Sequence, residues 1–195
     1  DNLSFKKYDI TLDTALSTAL KNRSDMQASI LRRKASEEAV TLSQKGYYPS
    51  LTGNASYGYS GDNFPLNHGW SLGAAVTIPI FSGFQTKHEV AESIANFNAA
   101  RANEESVRLN VVLDVQQAYL NLKEAENIIP TAELTVKQAS ENLDIANGRY
   151  AAGVGSPIEV TDAQVVYINA KTAYIQALSD YKIAQAALEK AMGGQ

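Results

Sequence analysis

Residues Leu51–Phe81 read LTGNASYGYSGDNFPLNHGWSLGAAVTIPIF, and their two-residue rhythm decides the fold. Leu51, Gly53, Ala55, Tyr57 and Tyr59 alternate with Thr52, Asn54, Ser56, Gly58 and Ser60. Trp70, Leu72, Ala74, Val76, Ile78 and Ile80 alternate with Ser71, Gly73, Ala75, Thr77 and Pro79. Successive side chains of a strand point to opposite faces, so each run predicts a strand with one apolar face and one small, polar face. The strands are expected over 51–59 and 70–80. Each is about 10 residues long, the length a tilted strand needs to cross a bilayer. Gly61–Gly69, with Asp62, Asn63 and Pro65, reads as the hairpin loop. Tyr57, Tyr59 and Trp70 sit on the apolar face near that loop. They are expected to form a lipid-facing aromatic girdle rather than a soluble core, because a two-stranded hairpin cannot build a core alone. The serine, threonine, asparagine and glycine of the other face suit a water-filled lumen.

Around the hairpin the period becomes helical. A first helical segment is expected over 12–46, capped by Thr11 or Asp13 and interrupted at Asn22–Asp25, with Ser24 capping the second piece. A helix over 86–129 carries Val107, Val111, Val115, Ala118, Leu122, Ala125 and Ile129 at alternating spacings of four and three. Pro130 removes an amide donor and crowds the preceding turn, so a break or kink is expected there. The pattern resumes over 131–151 with Ala132, Val136, Ala139, Leu143, Ala146 and Tyr150. After a tight turn, Ser156 is the expected N-cap and Pro157 a first-turn proline for a helix over 157–192. That helix repeats Val160, Ala163, Tyr167, Ala170, Tyr174, Ala177, Tyr181, Ala184, Leu188 and Ala191. A sustained heptad of this kind implies a coiled coil, and its alanines allow close helix approach. The fold class is therefore mainly α: long antiparallel coiled-coil helices with one inserted membrane-type β-hairpin.

The 195 residues carry a net charge of −4, with 45% hydrophobic and 19% charged residues. No basic stripe is present, so no nucleic-acid partner is expected. The chain has no cysteine, which excludes disulfides and thiolate metal sites. No apolar run reaches the roughly 18 residues of a membrane helix. Asp1–Lys7 is polar and does not read as a signal peptide. Enzymatic chemistry has no supporting residues, and no cofactor or metal is expected. His68, placed in the loop, and His88, beside Glu89, read as solvated. Glu37–Glu38 and Glu104–Glu105 are adjacent pairs that face different directions on a helix. Gly153-Val154-Gly155-Ser156 lacks the lysine and the preceding strand of a phosphate loop and reads as a helix-hairpin turn.

The order helix, strand, strand, broken long helix, tip turn, heptad helix resembles one repeat of the TolC family of outer-membrane efflux proteins. The motifs that carry the likeness are Tyr48-Pro49-Ser50-Leu51, Ile78-Pro79-Ile80-Phe81-Ser82-Gly83, and Arg149-Tyr150-Ala151-Ala152-Gly153 followed by Glu159-Val160-Thr161-Asp162-Ala163-Gln164 and a closing Leu188–Gly193. The single 1–195 unit looks most like the C-terminal of two repeats, so a half-molecule is expected. The resemblance implies a trimeric, twelve-stranded barrel continued by a helical periplasmic tunnel, in the outer membrane and periplasm of a Gram-negative bacterium. It implies a passive efflux or type I secretion duct whose partners are further copies, a periplasmic membrane-fusion adaptor, an inner-membrane pump and outer-membrane lipid. It also assigns Ala152, Gly153, Val154 and Gly155 to the adaptor-contacting tip. Tyr150, Glu159 and Asp162 go to the tunnel entrance. The arginine that latches this tyrosine in some members would fall at Gly155, which cannot serve. Asp162 also reads as a first-turn acid favoured by the helix dipole. The alternative is a soluble helical-hairpin scaffold or adaptor module of an export complex, which has no need of membrane-length strands.

Overall fold

The computed structural model describes residues 5–61 and 67–194. Its elements, in chain order, are α1 (Leu12–Asn22), α2 (Ser24–Gln44), a 3-10 turn (Lys45–Tyr47), β1 (Ser50–Ser60), β2 (Asn67–Thr77), α3 (Gln85–Ala151) and α4 (Pro157–Ala191). Two compact units result. One joins the chain up to Ala28 with the chain from Glu105 onward; the other is Ser29–Glu104.

In the second unit, α2 and the start of α3 run antiparallel. Arg33 Nε donates to Glu104 Oε2 at 2.6 Å, and the Ser43 and Ser93 hydroxyls lie 2.6 Å apart. Further along, a Cβ on Gly46 would come to 3.0 Å from Thr86 Cγ2, so the 3-10 turn packs closely against α3. Glu104 is thus paired with Arg33, while Glu105 binds Arg108 within α3.

Between these helices lies the antiparallel hairpin. Its register sets Leu51 opposite Val76, Gly53 opposite Ala74, Ala55 opposite Leu72 and Tyr57 opposite Trp70. Thr52–Ala75, Asn54–Gly73 and Ser56–Ser71 fall on the other face. The ladder is displaced from the expected 70–80: β2 begins at Asn67 and ends at Thr77. Pro79 has no amide to donate, so pairing stops short of Ile78 although the alternation continues. His68, expected in the loop, pairs with Tyr59 instead. The loop residues Asp62, Asn63 and Pro65 fall outside the described residues.

In the first unit, the expected interruption near Asn22 is a break at Arg23, whose amide closes α1 on the Ala19 carbonyl at 2.9 Å. Thr11 caps α1, accepting from the Thr14 amide at 3.3 Å. Ser24 is the first residue of α2 rather than its side-chain cap. The amide of Met26 instead donates to Asp25 Oδ1 at 2.8 Å. Asp25 is fixed for this by Arg23, whose Nε and Nη2 reach its two carboxylate oxygens at 3.0 and 2.6 Å; Arg23 also binds Asp114 at 2.8 Å. The hydrogen bond from Arg23 holds the Asp25 carboxyl below its usual range.

α3 is not broken at Pro130. It runs continuously from Gln85 to Ala151 with Pro130 inside it on an exposed face. An internal proline costs about 3 kcal/mol. Here the heptad offsets that cost, because Leu122, Ala125 and Ile129 before it and Ala139 after it are all buried. A single buried leucine or isoleucine contributes about 1.5–3 kcal/mol. On α4, every seam position from Val160 to Ala191 is buried or half-buried. Antiparallel pairing of α3 with α4 is evident at one end from Arg149 beside Glu159, 3.9 Å apart. At the other end Ala118 and Asn121 share a cleft with Ala187 and Ala191.

Candidate functional site

Two surfaces, one in each unit, carry the residues singled out from the sequence. The first is the turn between α3 and α4. The amide of Val154 donates to the Arg149 carbonyl and that of Gly153 to the Tyr150 carbonyl, both at 3.0 Å. These are the two bonds of a Schellman motif, which needs a left-handed residue after the helix. Gly153 supplies it with φ 76°. Gly155 is required for a different reason. A Cβ there would lie 2.9 Å from Tyr150 N and 3.0 Å from the Arg149 carbonyl carbon. Its own amide also donates to the Arg149 carbonyl, at 3.0 Å. Ser156 then caps α4 by accepting from the Ile158 amide at 3.2 Å, with Pro157 opening the helix.

The result is a blunt tip with Ala152, Val154 and Ile158 exposed to solvent. Beside it, Arg149, Glu159 and Asp162 line one cleft with Asn142, Ile145 and Val166. Tyr150 stands on the exposed surface and does not line that cleft. Glu159, in the first turn of α4, takes the helix-dipole role that the sequence offered to Asp162. Asp162 lies in the second turn, where the dipole no longer accounts for an acid. Arg149, which the sequence reading did not assign a role, is the cation beside Glu159. The reversal of two helices at Gly153 is the signal that would have found it.

The second surface is the hairpin. Leu51, Tyr57, Tyr59, Trp70, Leu72 and Val76 share one face and are 63–77% exposed. This face is far too apolar to be left to water by a chain that buries its helical seams. Tyr57 and Tyr59 stack edge to face at 5.5 Å, with their hydroxyls 3.2 Å apart. The opposite face carries a short polar ladder in which the Ser56 and Ser71 hydroxyls lie 2.9 Å apart. Each strand has 11 residues, a length that spans a height of about 27 Å when tilted by ~40°.

A second aromatic group, not singled out from the sequence, sits at the helical end of the same strands. Tyr47, Tyr48, Phe81 and Phe84 are all more than half exposed, with Phe81 and Phe84 edge to face at 5.8 Å. Aromatics therefore bracket both ends of the apolar band, which is the pattern of a membrane strand pair. His68 and His88 are exposed, as read from the sequence. Among the described residues no group of acids and histidines is arranged to hold a metal ion.

A strand pair is thus inserted between helices, and a Schellman turn closes a coiled-coil hairpin. The family described as outer membrane efflux protein matches residues 15–194, and the chain belongs to it. It is 26% identical over 186 residues to the outer membrane efflux protein BepC of Brucella suis, covering 94% of this chain and 40% of that one. It is 25% identical over 210 residues to the outer membrane protein TolC of Escherichia coli, covering 98% and 43%. The chain thus spans about two fifths of the length of the curated relatives it matches. Among solved structures, CusC superimposes with a TM-score of 0.81 at 19% identity, covering 99% of this chain and 48% of that one. The CmeC outer membrane channel of Campylobacter jejuni superimposes with a TM-score of 0.73 at 23% identity, covering 98% and 41%. These likenesses establish a shared fold.

Proposed function

We propose that this chain is one repeat of a trimeric outer-membrane channel, a passive duct for efflux or type I secretion across the outer membrane and periplasm of a Gram-negative bacterium. The observation that carries the reading is the hairpin register, which gathers the large apolar side chains on one exposed face and the small polar ones on the other. A soluble scaffold has no use for such a face. Two strands cannot close a barrel, and an open strand edge cannot sit in lipid. Further repeats and further copies of the chain must complete the wall. The outer face meets lipid through Tyr57, Tyr59 and Trp70, and the polar face lines the lumen.

On this reading, Ala152, Gly153, Val154 and Gly155 form the surface that docks a periplasmic membrane-fusion adaptor, itself coupled to an inner-membrane pump. Tyr150, Glu159 and Asp162 ring the tunnel entrance. No residue is assigned a catalytic role. A threefold axis repeats each acid three times around one constriction, and gathered like charges favour cations.

Cysteine labelling of the full-length protein in membranes tests the hairpin. Cysteines at 54 and 77 are expected to react with aqueous reagents, and cysteines at 55 and 76 to be protected. Labelling that shows no alternation would overturn the lipid-facing assignment. The entrance is tested separately in planar bilayers. Asp162→Asn in the full-length channel is expected to lower cation selectivity and weaken block by divalent cations. Unchanged selectivity would remove Asp162 from the constriction.

A further inference from the structure

Where β1 and β2 give way to helix, a cleft of about 250 Å³ opens among Gly46, Tyr47, Pro79, Phe81, Phe84 and Lys87. Three features of it are unexplained by packing within the chain. Ile80 beside it is 96% exposed and Phe81 is 78% exposed. Phe84 has φ 66°, directly after Gly83 at φ 61°. For a bulky residue that backbone is strained. It sets the Phe84 ring edge to face against Phe81, an arrangement that buries neither ring. Strain spent on keeping an aromatic pair in the open has a purpose only if something apolar covers the pair.

The charge at this place is equally specific. Lys87 Nζ stands 5.9 Å from the centre of the Phe84 ring and forms no ion pair among the described residues. Among the described residues no acidic side chain lines the cleft. The nearest acid along α3, Glu89, accepts from Gln85 Nε2 at 2.7 Å. Lys45 begins the turn that supplies Gly46 and Tyr47. Along the chain the cleft residues follow the end of the hairpin marked by the Leu51–Val76 pair. An apolar band that ends in aromatics and an ammonium with no carboxylate partner among the described residues matches the level where acyl chains give way to headgroups.

We propose that this cleft binds one anionic phospholipid, with its phosphate at Lys87 and the first part of an acyl chain against Phe81 and Phe84. The proposal rests on the lipid-facing reading of the hairpin and adds a defined headgroup site to it. The probe is delipidated full-length trimer titrated with phosphatidylglycerol or phosphatidylcholine of identical acyl chains, with retention followed by native mass spectrometry. Selective retention of phosphatidylglycerol is expected. Lys87→Gln should weaken it about tenfold, the effect of losing one charge-assisted contact, while Lys87→Arg retains it and Lys171→Gln on α4 leaves it unchanged. Phe84→Gly accepts the left-handed backbone without strain and removes the ring, so it too should weaken retention while preserving the fold. Equal retention of the two lipids, or protection by inorganic phosphate as strong as that by lipid, would overturn the site. A trimer that inserts into no vesicle at all would instead sink the channel reading on which the site rests.

Discussion

Adding one methyl group at Gly155 is expected to impair adaptor docking more than replacing the left-handed Gly153 with asparagine. The two glycines look alike in sequence but are constrained differently. Gly153 has φ 76° and open space where a Cβ would stand. Asparagine tolerates left-handed backbone, so Gly153→Asn keeps the Schellman turn at small cost. At Gly155 the obstacle is space. A Cβ would sit 2.9 Å from Tyr150 N and 3.0 Å from the Arg149 carbonyl carbon, and both are backbone atoms that cannot swing aside. Gly155→Ala therefore has to open the turn, at about 1–3 kcal/mol, and disturb the amides of Val154 and Gly155 that share the Arg149 carbonyl. The change is confined to the tip, so trimers of the full-length protein should assemble normally. Adaptor affinity should fall about tenfold or more, the effect of losing ~1.4 kcal/mol, with a matching loss of drug efflux. Normal docking by Gly155→Ala together with failure of Gly153→Asn would mean that the tip is read through residue 153 itself and not through the shape of the turn.

The hairpin faces were legible because a period of two needs no knowledge of the partner strand. Its ends were not. Alternation continues through Ile78 and Ile80, yet the ladder stops at Thr77, since Pro79 cannot donate. Pro130 shows the converse. Local chemistry predicts a break or a kink; the break does not occur, because the spacing Ala125, Ile129, Ala132, Val136 keeps one face of α3 on the seam across the proline and burial on both sides holds the helix together. The tip glycines were legible as a turn, whereas the steric role of Gly155 depends on coordinates. The aromatic group at Tyr47, Tyr48, Phe81 and Phe84 lies outside the alternating runs, so a periodicity argument passes over it, although it brackets the strands in sequence. Least legible was the segment Phe5–Tyr8. It has no period, and its partners lie more than 100 residues away.

That segment sets up the second large effect. Removing the Tyr181 side chain is expected to loosen the α3–α4 pair over a long stretch, because this buried ring of the α4 seam also holds the N-terminal strap. Tyr181 is 1% exposed. Its hydroxyl accepts from the Tyr8 amide at 2.8 Å and donates to the Lys6 carbonyl at 3.2 Å, and Phe5 packs edge to face on its ring at 5.1 Å. The strap is fastened to α3 as well, since Lys7 reaches Glu126 at 3.2 Å, and Lys123, within α3, reaches the same carboxylate at 2.8 Å. The Lys123 hydrogen bond, and after it Lys7, hold the Glu126 carboxyl below its ordinary range. That contribution is present above the unfolded-state pKa and is lost as pH falls through the lowered folded value. Tyr181→Ala leaves a cavity in a dense seam, at about 3–5 kcal/mol. Amides of Val115–Ile129 and Ala177–Leu188 should lose hydrogen-exchange protection together in the full-length protein. Tyr181→Phe isolates the hydroxyl. It keeps the packing and removes both strap bonds, so exchange at the Tyr8 amide should quicken about tenfold, the effect of one lost hydrogen bond, while the α3–α4 amides change little. If Tyr181→Phe released the helices as far as Tyr181→Ala does, the hydroxyl and its strap, rather than ring packing, would be what joins α3 to α4 at this level.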